Sequence, residues 1–122
     1  PANTFVARFV GHPPMNLLDG LFENGHFAAG ALRIPAPTGH PRGPGVLGIR
    51  PEDAHLAGQI PARVVITEPL GRETLVTLKV GENDFKVLAD GSARPAPGAE
   101  VRLGYRQDRL HIFDQAGKRI GL

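Results

Sequence analysis

Thr74-Leu75-Val76-Thr77-Leu78-Lys79-Val80 has the clearest two-residue period in this chain. Thr74, Val76, Leu78 and Val80 alternate with Leu75, Thr77 and Lys79, so one face of an extended segment is more apolar than the other. That period predicts a half-buried β-strand. Working outward, Gly81 to Asp84 predicts a hairpin turn into a second strand, Phe85 to Ala89. On the other side, Pro69-Leu70-Gly71 turns the chain back to a strand over Gln59 to Glu68, with Val64 and Ile66 expected on one face. Adjacent strands joined by short turns indicate an all-β chain.

The flanks read in the same way. Asn16 to Phe22 predicts a strand, and Glu23-Asn24-Gly25-His26 a hairpin turn, because Asn-Gly tolerates positive φ. Its partner is expected over Phe27 to Ile34, with Gly30 as a bulge. Pro35 to Gly45, with four prolines and three glycines, predicts a loop. Val46 to Arg50 is a short strand stopped by Pro51. A second proline- and glycine-rich loop spans Asp90 to Gly98. Val101, Leu103 and Tyr105 alternate, and a turn near Gln107-Asp108 leads to a strand over Leu110 to Phe113. Asp114-Gln115-Ala116-Gly117 is a last turn. Only the beginning breaks the pattern. Phe5, Val6, Phe9 and Val10 repeat at helical spacing between Asn3 and Gly11, and Pro13-Pro14 forbids continuation. One short amphipathic helix is expected there. It is too short to stand alone and needs a surface to dock on.

The chain has 122 residues, 41% of them hydrophobic, which suits one domain with one modest core. Twelve prolines and 16 glycines fall between the alternating runs, where turns need them. Cysteine is absent, so neither a disulfide framework nor a thiolate metal site is available, which favours the cytoplasm. No apolar run approaches the ~20 residues of a membrane-spanning helix. The 14 basic and 12 acidic residues are interspersed and leave a net charge of +2. Without a basic stripe, and with only 6% aromatic residues for base stacking, no nucleic-acid partner is expected.

Reacting groups are scarce. A phosphate-binding loop needs Gly-x-x-x-x-Gly-Lys-Ser/Thr, and the nearest piece, Gly117-Lys118-Arg119, lacks the earlier glycine and the hydroxyl. The histidines at 12, 26, 40, 55 and 111 include no pair at i, i+4 spacing, so a metal site is not expected. Ser92 is the single serine and sits in an Asp-Gly-Ser turn, a poor setting for a nucleophile. Glu52/Asp53 and Glu68/Glu73 read as turn and surface carboxylates. This chain is therefore expected neither to hydrolyse a nucleotide nor to hold a cofactor.

Four pieces, in order along the chain, resemble one family. Phe5-Val6-Ala7-Arg8-Phe9-Val10-Gly11 with Pro14-Met15-Asn16 resembles the junction after the nucleotide-binding domain of MalK-like importer ATPases, the maltose and glycerol-phosphate type. Gly48-Ile49-Arg50-Pro51-Glu52-Asp53 resembles the family's regulatory-domain motif. Glu68-Pro69-Leu70-Gly71-Arg72-Glu73-Thr74 is similar to its Glu-x-Leu-Gly-x-Glu-Thr turn. Leu110-His111-Ile112-Phe113-Asp114, with Gly117 and Arg119-Ile120, is similar to its C-terminal signature. The resemblance implies an OB-like β-barrel of the transport-associated (TOBE, or MOP-like) type over 13–122. It implies that 1–12 is a helix following a nucleotide-binding domain, where the parent protein would bind ATP and Mg. It implies a regulatory and dimerisation role in an ABC importer for sugars or glycerol-phosphate-like solutes. The partners would be the same domain of a second ATPase subunit, the importer's membrane subunits and a regulatory protein. The place would be the cytoplasmic side of the inner membrane. The motif positions singled out are Arg50, Pro51, Glu52, Glu68, Gly71, Glu73, Phe113 and Asp114.

Each has a plainer structural reading. Phe113 is expected as a core plug, Asp114 as a cap for turn amides, and Gly71 as a turn residue with unusual backbone freedom. Arg50, made extended by Pro51, is expected to latch a corner by pairing with Glu52 or Glu68; the competing reading has it facing a partner. A rival function remains: an oxyanion-binding barrel of the molybdate type, for which Ser92-Ala93-Arg94-Pro95 is the nearest match to a Ser-Ala-Arg-Asn strand start.

Overall fold

A computed structural model describes residues 13–37 and 42–116. The helix expected over 1–12 lies outside the described residues, as does the end of the C-terminal signature. Nine strands follow one another in the described chain: β1 (Asn16–Glu23), β2 (His26–Ala29), β3 (Leu32–Pro35), β4 (Gly43–Ile49), β5 (Ala54–Pro69), β6 (Glu73–Val80), β7 (Asn83–Asp90), β8 (Glu100–Tyr105) and β9 (His111–Phe113). The only helical pieces among the described residues are two 3₁₀ turns, Pro51–Asp53 and Gln107–Arg109. All strand pairs are antiparallel. The chain divides into two compact units, one up to Ile49 together with the residues from Gln107 on, the other Arg50–Arg106.

The first unit is a five-stranded sheet in the order β3-β2-β1-β4-β9. Asn24 (φ 51°) and Gly25 (φ 78°) make the tight β1–β2 turn that the Asn-Gly pair predicts. Phe22 and Phe27 then face each other across the ladder with ring centroids 4.8 Å apart. Two expectations change here. Phe27 to Ile34 is not one strand with a bulge: Gly30 takes a left-handed conformation (φ 59°) and reverses the chain, so Ala29 pairs with Leu32. The proline- and glycine-rich stretch also enters the sheet at both ends. Pro35 pairs with His26, and Gly43, Pro44 and Gly45 pair with Phe22, Leu21 and Gly20. The reason is space. A Cβ on Gly45 would lie 2.8 Å from the Phe22 ring, and one on Gly20 would lie 2.5 Å from the Phe27 ring. Pro44 is tolerated because β9 pairs only with Val46 to Gly48, so β4 has no neighbour on that side at position 44. Leu18, Phe22, Phe27, Ile34, Leu47, Ile112 and Phe113 are buried, and Asn16 Nδ2 donates to the Ile49 carbonyl at 3.0 Å.

The second unit is a four-stranded sheet in the order β7-β6-β5-β8. The run that decided the fold class is β6, paired with β7 without interruption from Glu73–Asp90 to Val80–Asn83. Val76, Leu78, Phe85 and Val87 are each at most 1% exposed. β5 starts five residues earlier than expected and carries two irregularities. Leu56 to Gln59 intervene between the pairs His55–Gly104 and Ile60–Leu103, with Gly58 tight against the Leu103 and Gly104 backbone. Val65 is an extra residue between Val64–Leu78 and Ile66–Thr77. That bulge switches the alternation. Val64 is therefore buried while Ile66 is 47% exposed, correcting the expectation that both share a face.

Candidate functional site

The Arg50–Asp53 corner is built by the backbone. Pro51 holds Arg50 extended (φ −71°, ψ 143°) and is itself buried at the first position of the 3₁₀ turn. The Asp53 N–H donates to the Arg50 carbonyl at 2.9 Å, and the Ala54 N–H donates to the Pro51 carbonyl. The Arg106 N–H donates to the Asp53 carbonyl at 2.8 Å, closing the end of β8 on the corner. Arg50 is half-buried and Glu52 exposed. Among the described residues no ion pair joins Arg50 to Glu52 or Glu68. Glu68 is exposed at the opposite end of the 16-residue strand β5, so that candidate latch is not assembled. Glu52, one residue beyond Pro51, is exposed, and an ion pair made there would contribute little to stability.

The second motif is the β5–β6 hairpin. The Leu70 N–H donates to the Glu73 carbonyl at 2.8 Å, and Gly71 takes φ 94° with open space where a Cβ would stand. Glu68 and Glu73 are exposed beside it. Leu70 is 53% exposed at the tip. Behind the hairpin lies the 90–98 loop, tied down by side chains that the sequence did not single out together. The Thr67 hydroxyl donates to the Pro95 carbonyl at 2.7 Å. Thr74, fully buried, donates to the Gly91 carbonyl at 3.3 Å and accepts from Arg94 Nη1 at 2.8 Å. The same Arg94 nitrogen donates to the carbonyls of Ala93, at 2.9 Å, and Gly91. Gly91 packs so closely that a Cβ there would lie 2.5 Å from the Arg72 carbonyl oxygen. Asp90 accepts from the Ser92 N–H at 2.8 Å and the Ser92 hydroxyl at 2.6 Å, and these two bonds hold its carboxyl below the usual carboxylate range. The Ser92 and Arg94 of the oxyanion reading are thus turned onto the protein's own acceptors. The one sequence signal for this network was a threonine, Thr74, in the buried phase of an apolar alternation.

Phe113 and Asp114 belong to the other unit. Phe113 is fully buried and packs with Met15 and Val46; a Cβ on Gly48 would come within 3.1 Å of its ring. Asp114 follows it, half-buried. The eight motif positions therefore fall at three places: a corner, a hairpin and a core plug.

The solvent face of the second sheet carries a row of charges in register, Asp84–Lys79–Arg63–Glu100, one from each strand. Lys79 Nζ lies 2.7 Å from Asp84 Oδ1, which raises the Lys79 pKa and lowers that of Asp84. All four described phenylalanines are buried, so none offers a face for base stacking. Among the described residues no His, Asp and Glu side chains gather in a group that could hold a metal ion, and no helix is long and apolar enough to cross a membrane.

Residues 47–113 match the TOBE domain, whose fold is OB-like, in keeping with the all-β reading. The chain is similar to the multiple sugar-binding transport ATP-binding protein MsmK of Streptococcus mutans, 32% identical over 93% of this chain and 35% of that protein. It is 36% identical to the trehalose/maltose import ATP-binding protein MalK of Thermococcus litoralis, over 98% of this chain and 38% of that protein. It is 35% identical to the sn-glycerol-3-phosphate import ATP-binding protein UgpC of Escherichia coli K12, over 98% and 37%. The chain thus spans little more than a third of the curated relatives it matches. With the TOBE match covering more than half of its length, the chain belongs to the TOBE domain family.

Proposed function

We propose that this chain is the regulatory and dimerisation region of the ATP-binding subunit of an ABC importer for sugars or glycerol-phosphate-like solutes. The observation that carries the reading is the pattern of coverage. Nearly all of this chain aligns with import ATP-binding proteins, yet it accounts for only 35–38% of their length. In this reading residues 1–12 follow a nucleotide-binding domain that binds ATP and Mg and does the hydrolysis. Residues 13–122 work at a distance from that chemistry. The contacts at the chain's own surface are then with the same region of a second subunit, and the membrane subunits are reached through the parent. A regulatory protein is a further partner, and the assembly sits on the cytoplasmic side of the inner membrane.

The coding sequence upstream of Pro1 is the test. An ATP-binding cassette with a phosphate-binding loop is the expected result, and an unrelated domain there would overturn the parentage. The dimerisation role has its own test in sedimentation of the 122-residue chain. A region that relies on the rest of its parent for effective concentration should be monomeric at micromolar levels and dimerise only above them. A tight dimer at nanomolar concentration would contradict this.

A further inference from the structure

In the second unit, β6 ends at Val80 while β5 and β8 run on side by side through Arg63–Glu100, Ala62–Val101 and Pro61–Arg102. The sheet loses a strand there, and the Gly81-Glu82 turn bounds the gap. The result is a groove of about 690 Å³, lined by Pro61, Arg63, Lys79, Glu82, Glu100 and Arg102 among others. Pro61 has no amide to extend a ladder into the gap, so the notch stays open.

Three cations converge on it. Arg63 and Lys79 stand directly opposite each other, an unfavourable like-charge pair unless each has an answer. Asp84 answers Lys79. The Arg63 side chain does not pair with Glu100, its neighbour on the other side, and neither the Arg63 nor the Arg102 guanidinium bonds to any described residue. Arg102 is two residues from Glu100 on β8 and so projects from the same face as Arg63. Two free guanidinium forks on one face suit phosphate oxygens, which they bond in pairs. The groove is larger than a bare oxyanion needs and falls within the ~300–1,000 Å³ of small-molecule sites. Glu82 and Glu100 line it as well, acceptors that repel a second anionic group but suit hydroxyl donors.

We infer that this groove binds a phosphorylated sugar or polyol, with its phosphate on Arg63 and Arg102 and its hydroxyls towards Glu82 and Glu100. The inference rests on the groove alone and does not depend on the proposed transport role. Calorimetry of the 122-residue chain with glucose 6-phosphate at low salt tests it, with inorganic phosphate and glucose as controls. Saturable binding is expected, weakening with added salt, and at least about tenfold weaker for inorganic phosphate. Arg63→Gln and Arg102→Gln should each lose about tenfold, while Arg72→Gln, outside the groove, keeps the affinity. Amide shifts in the unmodified chain should cluster at residues 61–63, 79–82 and 100–102. Absence of saturable binding, equal binding of inorganic phosphate, unchanged affinity in both groove variants or shifts clustered elsewhere would each overturn the assignment.

Discussion

In the first sheet, glycines stand where aromatic rings need room: Gly20 under Phe27, Gly45 under Phe22, Gly48 under Phe113. In the second sheet, the distinctive contacts are polar. Hydroxyls of Thr67 and Thr74 and the guanidinium of Arg94 hold a proline-rich loop by its carbonyls. Both solutions cope with a chain rich in glycine and proline, but they respond to damage differently. A ring seated on glycine is lost with its whole buried area. A loop held by several bonds to carbonyls loses them one at a time.

The largest effect expected is therefore in the first sheet. Phe113→Ala should cost about 3–5 kcal/mol, because the ring is fully buried and its seat on Gly48 cannot collapse far. A urea melt showing a loss below about 1 kcal/mol would mean that the glycine–aromatic seat is loosely packed. In the second sheet, Thr74→Val keeps the shape and removes two hydrogen bonds. A loss of about 1–3 kcal/mol is expected, with faster proteolysis in 90–98 and no change in the far strands. Unchanged proteolysis would show that Thr67 and Asp90 suffice to hold the loop. Gly71→Ala comes next. Open space surrounds the position, so the cost is that of the left-handed backbone alone, about 1 kcal/mol.

Arg50→Ala should fall within about 0.5 kcal/mol of the unmodified chain, since the corner is closed by main-chain bonds. A loss of several kcal/mol would restore a side-chain latch. The smallest effect concerns Asp90. Its folded-state pKa is depressed, so its contribution to stability is present above the ordinary carboxylate value and fades as pH falls through the folded one. Ser92→Ala removes one of its two bonds. An NMR titration should show the Asp90 pKa moving up towards its usual value, and no movement would mean that the backbone N–H alone sets it.

The meander β5-β6-β7 was legible because its pairings are local and its turns carry glycine or a polar residue where the backbone demands one. Legibility failed where a glycine acts through the side chain it lacks. Gly45 reads as a loop residue, since nothing in the sequence says that the Phe22 ring will lie across it. It failed again at β5, where bulges interrupt the period and put Val64 and Ile66 on different faces. For the motif positions, sequence placed Arg50, Gly71 and Phe113 at a corner, a turn and a core. It did not anticipate that carbonyls, which every residue has, would be the partners of Thr74 and Arg94. At Arg50 main-chain hydrogen bonds close the corner, without the expected side-chain pair to Glu52 or Glu68.

The extra residue at Val65 gives the chain one residue of slack. Each residue from Ile66 to Pro69 pairs with β6 one step out of phase with the residues before Val65. Deleting Val65 would therefore bring the strand back into phase and leave every side chain on its present face. Deleting a neighbouring turn residue would instead strain the hairpin. Length variation where this strand pairs with β6 is thus best absorbed at Val65, and a second residue inserted there would lengthen the bulge without disturbing the corner at Arg50 or the hairpin at Gly71.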